Sequence, residues 1–237
     1  DVERSRGLGD VYKRQALHIS PSTVSRSLAD HPDISQETKN IVNAYAREHK
    51  YKPNALALSL RTNNTKTIGV ILPQIVHYFF SSVLSGIEDE AEKGGYRVII
   101  CQSNENYEKE VKGAQALLEA RVCGVLASVA KTTTIYNHFQ ELIDSDIPMV
   151  FFDRICTGIL TDRVVVDDYA GVCSAVEYLI RSGCRRIAFF GSPSHLAISN
   201  NRRMGYEDAL RKNGLPVDKE LIKICDNYTA VSYTHLT

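Results

Sequence analysis

The sequence predicts an α/β protein with a small all-helical part at its N-terminal end. Three observations carry that expectation. The first 50 residues read as short helices, with a turn between those after residue 20. From residue 67 onward, short apolar, β-branched runs alternate with amphipathic helical stretches, the pattern of a doubly wound parallel sheet. Between the two, residues 51–66 place turn formers around a brief apolar stretch, which suits a joint.

The first helical stretch is SPSTVSRSL, residues 20–28. Ser20 is placed to cap it and Pro21 takes the first helical position. Val24 and Leu28 are four apart and share one face. Ser22, Thr23, Ser25 and Arg26 then point toward solvent or a partner. His31, Pro32 and Asp33 break the chain, and Ser35 caps the next helix, SQETKNIVNAYAREHKY. Thr38, Ile41, Val42 and Tyr45 are expected to form one buried stripe along it. Two short helices around a tight turn, with a packing helix, make the outline of a helix-turn-helix. In KPNALALSLRTNNTKT, residues 52–67, Pro53 and Asn54 open a helical turn or two, and NNTK closes it. A helix that short is marginal in water, and a plain linker is the alternative.

The strand candidates are TIGVILP (67–73), YRVIICQS (96–103), VCGVLASV (122–129), IPMVFFD (147–153), RVVVDD (163–168) and RIAFFGS (186–192). FSSVLSGIEDEAEK brings Val83, Ile87 and Ala91 onto one helical face, and Gly94 and Gly95 stop it. YEKEVKGAQALLEAR, YNHFQELIDSD, YAGVCSAVEYLIRSG and RRMGYEDALRKNG are the remaining helices. The division expected is a headpiece over 1–50 (atypical over 1–15), a hinge helix and linker over 51–66, and a body over 67–237. Within the body, a first lobe spans about 67–168 and a second lobe begins over about 169–230.

A chain of 237 residues suits one large or two medium domains. Its 43% hydrophobic and 24% charged residues are ordinary for a globular protein, and no apolar run is long enough to span a bilayer. DVERSRGLGD has no apolar core, so it does not read as a signal peptide. Six cysteines without a CxxC pair favour reduced thiols in a cytoplasmic protein over disulfides or zinc. Net charge is zero, yet residues 1–66 hold 11 Lys+Arg against 7 Asp+Glu, net +4, leaving the rest at −4. A basic head on an acidic body suits contact with a polyanion.

Motifs for enzyme chemistry are missing. GxGxxG, GxxxxGK[ST], HExxH and GxSxG do not occur. SVAK, residues 128–131, matches SxxK, but it ends a strand and lacks companion motifs. Asp153 and Asp167 end strands at the sheet edge where open α/β folds hold ligands. The expectation is a binding protein, with no enzyme activity, cofactor or metal.

SPSTVSRSL, then DISQETKNIVNAYAREHKYKPNALALSLRT, then TIGVILP, closely resembles the lactose/galactose repressor (LacI/GalR) family, from about Ala16 to about Tyr228. The resemblance implies a bacterial transcription regulator, usually a dimer or tetramer. Its body would be like periplasmic binding proteins and would sense a small molecule, most expectedly a sugar. It implies that Pro21, Ser22 and Arg26 read bases of a pseudo-palindromic operator, that Thr23 and Ser25 lean on the DNA backbone, and that Ser20 is a further DNA-binding position. In the hinge, the resemblance puts Leu60 as a minor-groove wedge, with Asn54, Ala57 and Arg61 at neighbouring contact positions. Leu58 stands where an arginine is common. For the effector it implies Phe79, Phe80, Asp153, Arg154, Asp167 and Arg202, the last from the match RRMGY; Phe80 is equally expected as core. A solute-binding protein without DNA contact is the alternative, but it has no use for residues 16–62.

Both ends depart from the family pattern. Lys13 and Arg14 stand where apolar residues are expected in the first helix, and residues 1–15 and VSYTHLT look foreign. The expectation is a fragment of a longer regulator, with an altered first helix and about half of the second lobe absent. It would be poorly soluble and weak in effector binding; clean two-state melting with micromolar sugar binding would contradict this.

Overall fold

The computed structural model describes residues 19–49, 51, 65–192 and 195–224. The chain divides into two compact units, residues 1–58 and 59–237.

In the first unit, α1 spans Pro21–Leu28 and α2 spans Gln36–Glu48. Each begins as the sequence predicts, with a serine hydroxyl accepting an orphan backbone N–H. Ser20 Oγ takes the Thr23 N–H at 3.1 Å and Ser35 Oγ takes that of Thr38 at 3.3 Å. Val24 and Val42 are buried. So is Ser27, whose hydroxyl donates to the Thr23 carbonyl at 2.8 Å. The expected stripe on α2 is rotated. Val42 and Lys39 face inward, while Ile41 is 49% exposed because it lies about 100° around the helix from Val42. Lys39 is tolerated inside because its ammonium donates to the Asp30 carbonyl at 3.3 Å and pairs with the Asp30 carboxylate at 2.7 Å. Asp30 itself turns the chain, at φ 52°. The Lys39 ammonium holds the Asp30 carboxyl below the usual carboxylate range. Residues expected in the first helix, and the hinge positions Asn54, Ala57, Leu60 and Arg61, lie outside the described residues.

The second unit alternates strands and helices. In chain order these are β1 (Thr67–Leu72), α3 (Tyr78–Lys93), β2 (Arg97–Gln102), α4 (Tyr107–Glu119), β3 (Gly124–Ala127), α5 (Asn137–Asp144), β4 (Met149–Phe152), β5 (Asp162–Val164), α6 (Asp168–Arg181), β6 (Phe189–Gly191) and α7 (Ala197–Lys212). A 3₁₀ turn, Lys219–Leu221, then leads into β7 (Ile222–Ile224). Strands β1 to β5 form one parallel sheet in the order β2-β1-β3-β4-β5, and β6 and β7 pair in a second. The interior strand β1 is buried along nearly its whole length, as its continuous apolar run predicts. One core packs Leu117, Val125, Phe139, Leu142 and Phe151, and another packs Val70, Leu72, Phe80, Leu84 and Phe152.

Three boundaries differ from expectation. The run at 163–168 pairs only over Asp162–Val164, where β5 is an edge strand exposed at every residue. Helix α7 begins at Ala197, earlier than the periodicity around RRMGY indicates, because polar Asn200 and Asn201 hide the pattern. β7 has no counterpart among the predicted strands, being only three residues long.

Gly69 lets α4 sit tight on β1. A Cβ there would lie 2.5 Å from Leu117 Cδ1, and Leu117 is fully buried. Gly69→Ala is therefore expected to cost about 1–3 kcal/mol by overpacking, read as a lower urea midpoint with an unchanged slope.

Candidate functional site

The candidate DNA surface is one face of α1. Ser22 and Arg26 are exposed, while Val24 points inward and fixes the helix's rotation. Three hydroxyls cluster at the helix start: Ser20 Oγ is 2.7 Å from Ser22 Oγ and 2.8 Å from Thr23 Oγ1. Thr23 and Ser25 are half-buried. The Arg26 carbonyl accepts the His31 N–H at 3.0 Å, tying the turn back onto the helix, while its guanidinium is left facing outward. A slim helix with hydroxyl and guanidinium tips matches what phosphates and base edges in a major groove accept.

The candidate effector surface lies at the C-terminal edge of the five-stranded sheet. Parallel strands bring their ends together there, so the loops after β2, β3 and β4 converge. Three of the residues that make these turns are non-glycines in the left-handed region: Asn104 at φ 53°, Glu105 at φ 58° and Asp153 at φ 57°. Such conformations persist only where their surroundings hold them.

Glu105 is the hub. Its carboxylate accepts Arg154 Nη1 at 2.8 Å on each oxygen, and Oε2 also accepts the Lys131 N–H at 2.8 Å. Lys131 Nζ stands 4.0 Å from Oε1. Arg154 Nε lies 3.8 Å from Asp153 Oδ2, and its guanidinium sits 5.7 Å from the centre of the Phe80 ring. Burial pushes the Asp153 carboxyl up, and the Arg154 and Arg202 guanidiniums oppose that. Burial pushes the Lys131 ammonium down; Glu105 works against that shift and Arg154 reinforces it. From the turn just before α7, His195 Nε2 hydrogen-bonds the Lys131 carbonyl.

Six positions were expected to face the effector, and the structure distributes them unevenly. Asp153 and Arg154 sit together at the converging loops. Phe80 is buried against Phe152, their ring centres 6.5 Å apart, so it presents little surface. Phe79 beside it is half exposed and meets Phe80 edge-on at 5.2 Å. Asp167 caps α6 by accepting the Ala170 N–H at 2.9 Å. Arg202 pairs with Asp168 at 2.7 Å.

Sequence reasoning missed Glu105, Lys131 and the buried cluster beneath them. Glu110, fully buried on α4, accepts Ala130 N–H at 2.6 Å, Thr133 Oγ1 at 2.7 Å and His138 Nε2 at 3.0 Å. It thereby pins the loop that carries Lys131. No periodicity marks a carboxylate whose partners lie 20 to 28 residues away. The Ser128 hydroxyl, first residue of SVAK, is buried with no hydrogen-bond partner among the described residues. No group of three metal-ligating side chains occurs among the described residues, and no described helix is long and apolar enough to cross a membrane. Cys101, Cys123, Cys156, Cys173 and Cys184 are free thiols; Cys184 is exposed and Cys156 buried.

A helix-turn-helix unit followed by this sheet matches two family descriptions. "Bacterial regulatory proteins, lacI family" matches residues 16–54, and "Periplasmic binding proteins and sugar binding domain of LacI family" matches residues 65–236. The chain belongs to the LacI family. It is 32% identical over 223 residues to the HTH-type transcriptional regulator RegA of Clostridium saccharobutylicum, covering 91% of this chain and 66% of that protein. It is 33% identical over 197 residues to the ribose operon repressor of Bacillus subtilis, covering 83% and 58%. Among solved structures it resembles the transcription regulator CcpA of Lactococcus lactis, with TM-score 0.63 and 26% identity over 69% of this chain and 59% of that one. It also resembles a LacI-type regulator from Alkaliphilus metalliredigens complexed with D-xylulofuranose, with TM-score 0.57 and 29% identity over 68% and 56%. This LacI-family chain thus spans about three fifths to two thirds of the length of the curated relatives.

Proposed function

We propose that the chain is a sequence-specific DNA-binding transcription regulator, acting as a repressor, whose operator affinity is set by a small-molecule effector, a sugar. The observation that carries this reading is the exposed Ser22 and Arg26 face of a capped, Val24-anchored helix, in a chain that also carries the family's sugar-binding sheet. Residues 1–50 are the DNA-binding headpiece, 51–66 the hinge, 67–168 the first effector lobe and 169–230 the start of the second. Pro21, Ser22 and Arg26 read base edges, Thr23 and Ser25 contact the backbone, and Ser20 also binds DNA. Asn54, Ala57, Leu60 and Arg61 make the minor-groove contacts. Phe79, Phe80, Asp153, Arg154, Asp167 and Arg202 serve the effector. The working form is a cytoplasmic homodimer or tetramer on a pseudo-palindromic site, because a two-fold dimer reads two half-sites. Its role is regulatory rather than enzymatic. A sugar is favoured because one structural relative holds D-xylulofuranose and one curated relative is a ribose operon repressor.

The test is a gel shift against a library of random duplexes, with and without a panel of sugars. A selected sequence is expected to be bound with a steep salt dependence, falling about 10³–10⁵-fold between roughly 50 and 200 mM salt for six to ten phosphate contacts. Arg26→Ala is expected to relax the preference at one base pair by about 1–3 kcal/mol. An unchanged preference removes Arg26 from the readout. No selected sequence under any sugar condition removes the reading itself.

A further inference from the structure

We propose that Glu105 sets the charge selectivity of the effector cleft, cancelling Lys131 and Arg154 so that the site takes an uncharged polyhydroxyl ligand and turns away phosphorylated ones. The inference rests on reading this sheet edge as the effector cleft. Lys131, Arg154 and Arg202 face it, and each meets a carboxylate. Glu105 lies 2.8 Å from Arg154 and 4.0 Å from the Lys131 ammonium; Asp153 is 3.8 Å from Arg154, and Asp168 is 2.7 Å from Arg202. Three cations against three carboxylates leave no net positive charge for an anion. A phosphate reaching either guanidinium or the ammonium would come to rest beside a carboxylate, and partial burial strengthens that repulsion. Hydroxyl groups meet no such penalty, since each donates to a carboxylate and accepts from a guanidinium.

Glu105 is the group to change because two cations share it. Without its charge, Lys131 and Arg154 lose the carboxylate they share, while Asp153 stays 3.8 Å from Arg154. The loop ends beside the Phe80 ring would then carry a surplus of positive charge. Glu105→Gln keeps an oxygen able to accept the Lys131 N–H, so the loop retains that contact.

Inorganic phosphate is the probe, titrated into the full chain at constant ionic strength and read by calorimetry and by melting temperature. Wild type is expected to show no phosphate binding in the millimolar range. Glu105→Gln is expected to bind at least about tenfold more tightly, and Glu105→Gln/Arg154→Met to lose that gain. Phosphate binding by wild type equal to that of the variant overturns the proposal, as does a folded variant with no gain. Should Glu105→Gln fail to fold by circular dichroism, Glu105→Ser carries the same expectation, and millimolar phosphate binding by wild type overturns the proposal by itself. DNA binding is read in the same samples. A phosphate gain that leaves selected-duplex affinity unchanged supports the charge assignment and sinks the effector-cleft reading. No gain sinks the charge assignment whatever the DNA shows.

Discussion

Glu110→Ala is expected to lower stability by about 3–5 kcal/mol, the range for removing one partner of a buried charged network. The carboxylate is fully buried, and three donors from three places converge on it: the Ala130 N–H, the Thr133 hydroxyl and His138 Nε2. Alanine abandons all three in the interior. Bulk water does not reach the three donors, because Ala130 and Thr133 are fully buried and His138 nearly so. Nor can His138 turn for relief: its ring packs edge-on to Tyr107 at 5.5 Å and against Phe139 at 4.0 Å. Glu110→Gln should cost less, since its amide oxygen still accepts one or two of the donors. The measurement is the urea midpoint of both variants. A loss below about 1 kcal/mol for alanine would mean that the donors find other partners and that Glu110 does not anchor the loop. Hydrogen exchange adds a local readout: the amides of Ala130 and Lys131 should lose protection in either variant while those of β1 keep theirs.

Gly205→Ala is expected to cost about 1–3 kcal/mol or more in the packing of α6 on α7, against the direction that helix propensity predicts. Gly205 lies inside α7, where alanine is the better helix former by about 1 kcal/mol. Tertiary packing reverses the sign. A Cβ at this position would sit 2.5 Å from the Tyr169 carbonyl oxygen and 3.3 Å from its carbonyl carbon and Cα. Those are backbone atoms of α6, so no rotamer change relieves the clash and the helix pair has to separate. Separation would break the contact of Cys173 Sγ with the Gly205 carbonyl at 3.2 Å and loosen Tyr206, a buried ring whose hydroxyl donates to the Ile187 carbonyl at 2.8 Å. The sign decides: a higher melting temperature for Gly205→Ala would show that the two helices do not meet at this glycine.

Much of the fold was legible because its signals are local. Each of the first five expected strands overlaps a strand of the main sheet, and RIAFFGS overlaps β6, since continuous apolar runs bounded by turn residues leave little else for a chain to form. The caps at Ser20 and Ser35 were readable for the same reason: a hydroxyl three residues before a backbone N–H is a sequence-local geometry. The inner face of α2 was misjudged because Lys39 is buried through a partner nine residues away, and periodicity counts lysine as polar. The site was only half legible. Asp153 and Arg154 end a strand and could be picked out. Glu105 and Lys131 join them only because β2 and β3 flank the same strand, β1.

By itself, the sequence determined the order of strands and helices, the capped helix with its hydroxyl and guanidinium tips, and the family to which the chain belongs. The tertiary structure alone decided which charges meet. Lys131 and Arg154 lie 26 and 49 residues from Glu105 along the chain. Hydrogen bonding between neighbouring strands is blind to side chains, so local propensity shapes each strand. Only the order in which the strands lie side by side determines which loop ends share a space, and with it the electrostatics of that sheet edge.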